Sequence, residues 1–168
     1  AIKQWEDYAK ANPDKKEESE ANISQLKSQR DSYILEKAVE RVNAYPNDLQ
    51  LRYELALAYW EKGDVDNALQ QFQLSQKNPQ RRLSSLVYLG RCFSEKGQYD
   101  LAVEQFTKAI DEMLAMDNQK MDALYHLGLT YEKLGKTAEA LDSFKKIYQA
   151  NVKFRDVAER INKAYAKK

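Results

Sequence analysis

The sequence predicts an all-α protein built as a solenoid of stacked helical hairpins, and three observations carry that expectation. First, one spacing occurs three times. Leu55, Ala56, Tyr59, Gly63, Ala68 and Phe72 fall at the same offsets as Leu89, Gly90, Phe93, Gly97, Ala102 and Phe106, and again as Leu127, Gly128, Tyr131, Gly135, Ala140 and Phe144. The interval is 34 residues from Ala56 to Gly90 and 38 from Gly90 to Gly128, a period typical of repeat arrays. Second, glycine lies midway in each copy, where a residue able to take positive φ ends a helix. Third, the 168 residues contain only 5 Gly and 3 Pro, and good helix formers dominate the rest.

Each copy reads as two helices. Leu55 and Tyr59 stand four apart and share one helix face, as do Ala68 and Phe72 on the next helix. Small residues at Ala56, Gly90 and Gly128, and at Ala68, Ala102 and Ala140, let two backbones approach while Phe72, Phe106 and Phe144 fill the space beside them. One hairpin alone leaves an apolar side wet, so the units must stack.

These residues resemble the tetratricopeptide repeat (TPR): a Leu-Gly pair, an aromatic three residues on, a turn Gly, then Ala and an aromatic on the second helix. The resemblance covers about Leu49 to Ala150 and implies a right-handed superhelix of the bacterial TPR type. Departures are Arg52, Leu86 and Leu124 where Trp is usual, Ala56 where Gly is usual, Pro79 one place early, and no Pro closing the second and third units.

In chain order, 1–47 is an N-terminal helical extension. Ile2 to Ala11 forms a short helix with Trp5, Tyr8 and Ala9 on one side, which Pro13 ends. About Lys15 to Tyr45 forms one long amphipathic helix with a possible break near Ser28; the alternative is a linker up to about Ala21. Its last part resembles the second helix of a preceding TPR, because Pro46 lies ten residues before Ala56. Region 48–151 holds three units, 49–82, 83–120 and 121–151. Their helices are expected at about Asp48 to Lys62, Asp64 to Lys77, Gln80 to Lys96, Tyr99 to Met116, Asn118 to Leu134 and Ala138 to Gln149. Asp48, Asp64 and Thr137 read as N-caps. The four extra residues of the longer interval fall in Asp111 to Lys120, which lacks Gly and Pro, so helix should lengthen. Finally, 152–168 is a C-terminal capping helix with Phe154, Val157, Ile161 and Tyr165 as one apolar stripe.

Composition narrows the function. A net charge of +1, from 27 basic and 26 acidic side chains, offers no long-range field for nucleic acid. No apolar run approaches the roughly 20 residues that span a bilayer, so membrane insertion is not expected. One Cys leaves the redox compartment undetermined; the cytoplasm is slightly favoured. The chain begins at Ala1, as a mature form or a cut fragment does. No phosphate loop, paired Cys, metal-spaced His cluster or nucleophile motif is present, so no catalytic residue, metal or cofactor is expected and the chain reads as not an enzyme. His126 is the only His and lacks a His or Cys neighbour; a groove or surface role is favoured over a base or ligand. Cys92 reads as a buried inert thiol.

What remains is surface. The TPR resemblance implies a concave groove that holds an extended peptide or a partner helix. Carried over, it would be lined by Tyr53, Glu54, Leu57, Trp60 and Glu61, by Tyr88, Arg91, Ser94 and Glu95, and by Tyr125, His126, Leu129 and Lys133. Its aromatic and aliphatic groups favour apolar or aromatic anchors on the ligand. The alternative is that the long N-terminal helix or the capping helix covers this face. A chaperone carboxylate clamp is not expected, because Tyr53, Leu57, Tyr88, Asp122 and His126 occupy its positions. Arg81, Arg82 and Arg91 read as a solvated basic face rather than an anion site. The leading function is therefore a non-catalytic adaptor binding a peptide or helix of another protein. The alternative is a structural segment of a larger array, or a self-associating homo-oligomer, and an enzyme or nucleic-acid binder comes last.

Overall fold

The computed structural model describes residues 1–166, so Lys167 and Lys168 of the 152–168 segment lie outside the described residues. Among these, helices α1 (Ile2–Ala11), α2 (Lys16–Ala44), α3 (Leu49–Glu61), α4 (Val65–Ser75), α5 (Arg82–Glu95), α6 (Tyr99–Glu112), α7 (Asn118–Lys133), α8 (Thr137–Ala150) and α9 (Val157–Ala166) follow in order, with a 3-10 turn at Pro13–Lys15. The fold is all-α and solenoidal. Each helix packs on the next from α1 to α9.

The three hairpins α3–α4, α5–α6 and α7–α8 close as the spacing requires. Gly63 (φ 75°), Gly97 (φ 71°) and Gly135 (φ 71°) end the first helices in the left-handed region, where a β-carbon is strained. Phe72, Phe106 and Phe144 are buried at the hairpin contacts, and a β-carbon placed on Gly90 or Gly128 would lie 2.6 Å from the ring of Phe106 or Phe144. Ser75 and Ser85, both buried between α4 and α5, satisfy each other at 2.8 Å.

Two caps match the expectation and one does not. Asp48 accepts from the amides of Gln50 and Leu51, and Asp64 from that of Asn67. Thr137 is instead the first residue of α8, whose N-cap is Lys136 with no side-chain bond. Asp117 caps α7 by accepting from Lys120. The four extra residues do enter helix: α6 has 14 residues against 11 in α4, and α7 has 16 against 14 in α5. Yet α6 stops at Glu112, not Met116, because Met113 turns extended (φ −83°, ψ 114°) and is buried.

Helix α2 is continuous over 29 residues, without a break at Ser28. The reason lies one period before the turn glycines: Gln29 occupies the place of Gly63 in the next unit, and nothing there stops the helix. Only the C-terminal part of α2 packs on α3, through Ala38 and Val42 against Leu55 and Ala58. Lys62, just past α3, donates to Ser32 Oγ at 3.0 Å, so the N-terminal part of α2 overhangs the stack. Helix α1 packs along that overhang and buries none of its own residues.

Candidate partner-binding groove

The first helices α3, α5 and α7 carry three rows of side chains on this side, and their roles differ. The row of Tyr53, Val87 and Tyr125 is packing. Tyr53 is 9% exposed, edge-on to Phe72 at 5.9 Å and beneath the Arg81 guanidinium at 5.2 Å. Tyr53, expected to line the groove, is thus mostly covered by the side chains of neighbouring helices. Tyr125 is half-buried and donates to Asp156 at 2.7 Å.

The row of Glu54, Tyr88 and His126 faces the preceding second helix. Glu54 pairs with Arg41 of α2 at 2.8 Å. Tyr88 stacks flat on Phe72 at 4.8 Å, and His126 on Phe106 at 6.0 Å. Burial raises the Tyr88 phenol. Burial also pushes the His126 imidazole down to about 4, with Asp122 opposing and the Arg91 and Arg155 guanidiniums adding to the fall. The ring is therefore neutral near pH 7, an apolar wall rather than a cation. Burial pushes the Cys92 thiol up to about 12, so it stays protonated and inert.

The row of Leu57, Arg91 and Leu129 lies half-buried. Arg91 sits at its centre, 4.7 Å from the Trp60 ring and 4.9 Å from the Tyr88 ring, and those rings meet edge to face at 5.8 Å. Among the described residues no carboxylate forms an ion pair with Arg91, so its charge is held in place by two aromatic faces.

Toward the C-terminus a cleft of about 610 Å³ opens between α5, α7 and α9, where His126, Leu129 and Lys133 meet Ser94, Glu95 and Arg160. The sequence reading missed the groups from the end of the chain. Arg155 lies 4.6 Å over Tyr125 and pairs with Asp122. Arg160 pairs with Glu132 at 2.6 Å and Asp156 at 2.9 Å. The signal was present: Ile161 and Tyr165 stand 34 residues after Leu127 and Tyr131, so α9 repeats the first-helix spacing and puts Arg160 in the row of His126. The capping segment thus covers Tyr125 but leaves Leu129 and Lys133 beside the cleft. Of the expected apolar stripe, Val157 and Ile161 are buried, while Tyr165 is 51% exposed under Lys145.

Among the described residues no helix is long and apolar enough to cross a membrane, and no three His, Cys, Asp or Glu gather where they could hold a metal ion. The chain is 30% identical over 101 residues to the photosystem I assembly protein Ycf3 of Synechococcus sp. WH7803, covering 58% of this chain and 56% of that one. It is 26% identical over 98 residues to lipopolysaccharide assembly protein B of Escherichia coli K12, covering 58% of this chain and 24% of that one. The chain thus spans about half or less of the length of these relatives. In three dimensions it is similar to the crystal structure of MamA, with a TM-score of 0.72, 18% identity and coverage of 86% of this chain and 82% of that one. A thermophilic TPR protein of Thermus thermophilus superposes with a TM-score of 0.66 at 21% identity, covering 98% of this chain and 89% of that one; both likenesses show the fold. Tetratricopeptide repeat models match residues 34–82, 84–112 and 122–151. The chain belongs to the tetratricopeptide repeat family.

Proposed function

We propose that the chain is a non-catalytic binding module that holds an extended peptide or a helix of another protein along α3, α5 and α7. The observation that carries this reading is Arg91, fixed between Trp60 and Tyr88 with no carboxylate of its own and flanked by half-buried Leu57 and Leu129. A ligand with an apolar or aromatic anchor and one acidic side chain satisfies both features. The contact residues are Glu54, Leu57, Trp60, Tyr88, Arg91, His126 and Leu129, with Tyr53 and Tyr125 supporting them from beneath. Two curated relatives are named as assembly proteins, which agrees with a role in bringing other proteins together.

The test is selection of a displayed random-peptide library on the folded chain. Selected peptides should bind the wild type and lose binding to Arg91→Glu with Leu129→Glu, while the far-UV circular dichroism of the variant is unchanged. Binding that survives in the variant moves the site off this face.

A further inference from the structure

In three places a second helix has a first helix packed along its small-residue face, and in one it does not. Ala68, Ala102 and Ala140 are 0%, 0% and 2% exposed under α3, α5 and α7, whereas Ile34, one period before Ala68, is 46% exposed on α2. The cause is Gln29: with no glycine turn, the segment that would have folded back as a first helix continues α2 straight on. An open slot of about 330 Å³ remains between α2 and α3, lined by Ile34, Ala38, Leu57 and Ala58 together with the charged Arg30, Asp31, Arg41, Glu54 and Glu61.

We propose that this slot receives α1 of a second copy of the chain, and that two copies pair about a two-fold axis near Gln29. Helix α1 already lies on the same stripe of α2. Ser19, fully buried beside it, is followed at helical spacing by Ile23, Leu26, Ile34 and Ala38, so the stripe runs from α1 into the slot. The 3-10 turn at Pro13–Lys15 folds α1 back along the first dozen or so residues of α2, and the slot occupies the stretch from Arg30 to Arg41. The two stretches lie on opposite sides of Gln29. Antiparallel α2 helices crossing there set each α1 between its own overhang and the other copy's slot, and one rotation closes both contacts.

Size complementarity points the same way. In the other hairpins the second helix supplies the bulk, with Phe72 against Ala56, Phe106 against Gly90 and Phe144 against Gly128. In the slot Ala38 stands one period before Phe72 and is itself closed off at 2% exposure, so an incoming helix meets the larger Ile34 and Leu57 beside it. Helix α1 brings Trp5 and Tyr8, packed edge to face at 5.5 Å around a hollow of their own, with Tyr8 38% exposed. The slot shares Glu54 and Leu57 with the proposed peptide-binding face, while Arg91 and Leu129 lie outside it, so the pairing of copies goes beyond the peptide-binding reading.

Size-exclusion chromatography with light scattering over a hundredfold range of concentration tests the pairing. The mass should rise from 19.5 kDa to about twice that value. Trp5→Ala with Tyr8→Ala, and separately Ile34→Glu, should each hold the chain at the lower mass with an unchanged helical spectrum. In a second measurement, a Gln4→Cys chain mixed with an Ile34→Cys chain should form a disulfide-linked pair on mild oxidation; buried Cys92 does not compete. A mass that stays at 19.5 kDa, a dimer indifferent to these variants, or no mixed disulfide overturns the proposal. Peptide selection carried out on the monomeric Ile34→Glu chain, with Arg91→Glu and Leu129→Glu as control, reads the peptide face apart from the pairing, so the two readings fail separately.

Discussion

Gly128 and Gly63 are both glycines of the repeat, yet they are constrained for opposite reasons. A side chain at Gly128 meets the Phe144 ring at 2.6 Å, while at Gly63 nothing lies within 4 Å but φ is 75°. Gly128→Leu gains about 1 kcal/mol of helix propensity and meets a buried ring that has nowhere to go. Overpacking of about 1–3 kcal/mol should win, and the urea midpoint should fall. Gly63→Ala should cost about 1 kcal/mol through left-handed strain alone; a larger loss there than at Gly128 would reverse the assignment. His126 makes a pH prediction. Its folded value of about 4 lies below the ordinary 6.5, so the unfolded chain binds the proton first. The native state is at full stability above about pH 6.5 and loses up to about 3 kcal/mol as pH falls toward 4. His126→Phe should flatten this part of the melting-temperature profile, and an unchanged slope would place the titration elsewhere. Most of these residues were legible in sequence because spacing alone assigns them to a face. Tyr53 was not: its row and the next are one residue apart, and only the neighbouring Phe72 and Arg81 decide which of the two is buried.

Helix ends were less legible than helix faces, because a cap depends on one side chain's geometry rather than on periodicity. Asp117 and Thr137 show the difference. Asp117 accepts from the Lys120 amide, whereas Thr137 lies inside α8 and caps nothing. Asp117→Ala should therefore cost about 1 kcal/mol, while Thr137→Ala should leave the thermal midpoint nearly unchanged. Equal losses at the two sites would show that the cap is misassigned. The continuity of α2 was readable from the missing glycine at position 29, but its consequence was not. A sequence shows that a turn is lacking; it does not show that the segment beyond it projects clear of α3 and leaves Ile34 bare. The C-terminal helix is the converse case, since its spacing repeats that of the first helices and yet its Arg160, with Arg155 from the turn before it, reaches back to Glu132 and Tyr125.

At the scale of the whole molecule, stability in a solenoid is a sum of units and nearest-neighbour contacts, so it need not be uniform along the chain. The largest buried cluster runs from Tyr53 through Phe72, Leu86, Leu89 and Phe106 to Leu127. It unites α3 to α7. Helix α1 contributes no buried residue, and the overhang of α2 has α1 as its cover. Amide hydrogen exchange should therefore be slowest in α5 and α6, which have packed helices on both sides, faster toward α9, and fastest in α1 and the first half of α2. Uniform protection along the chain would mean one cooperative unit and would contradict the distribution of buried side chains. The same measurement carries a second variable. Dilution should not alter exchange in α5 and α6, because their contacts lie within one chain. If a second copy supplies the cover for Ile34 and Leu57, then raising the concentration a hundredfold should slow exchange in α1 and in the part of α2 around Ile34 together. The Trp5→Ala, Tyr8→Ala chain should show no such change. Exchange in α1 that is fast at every concentration would leave the slot open.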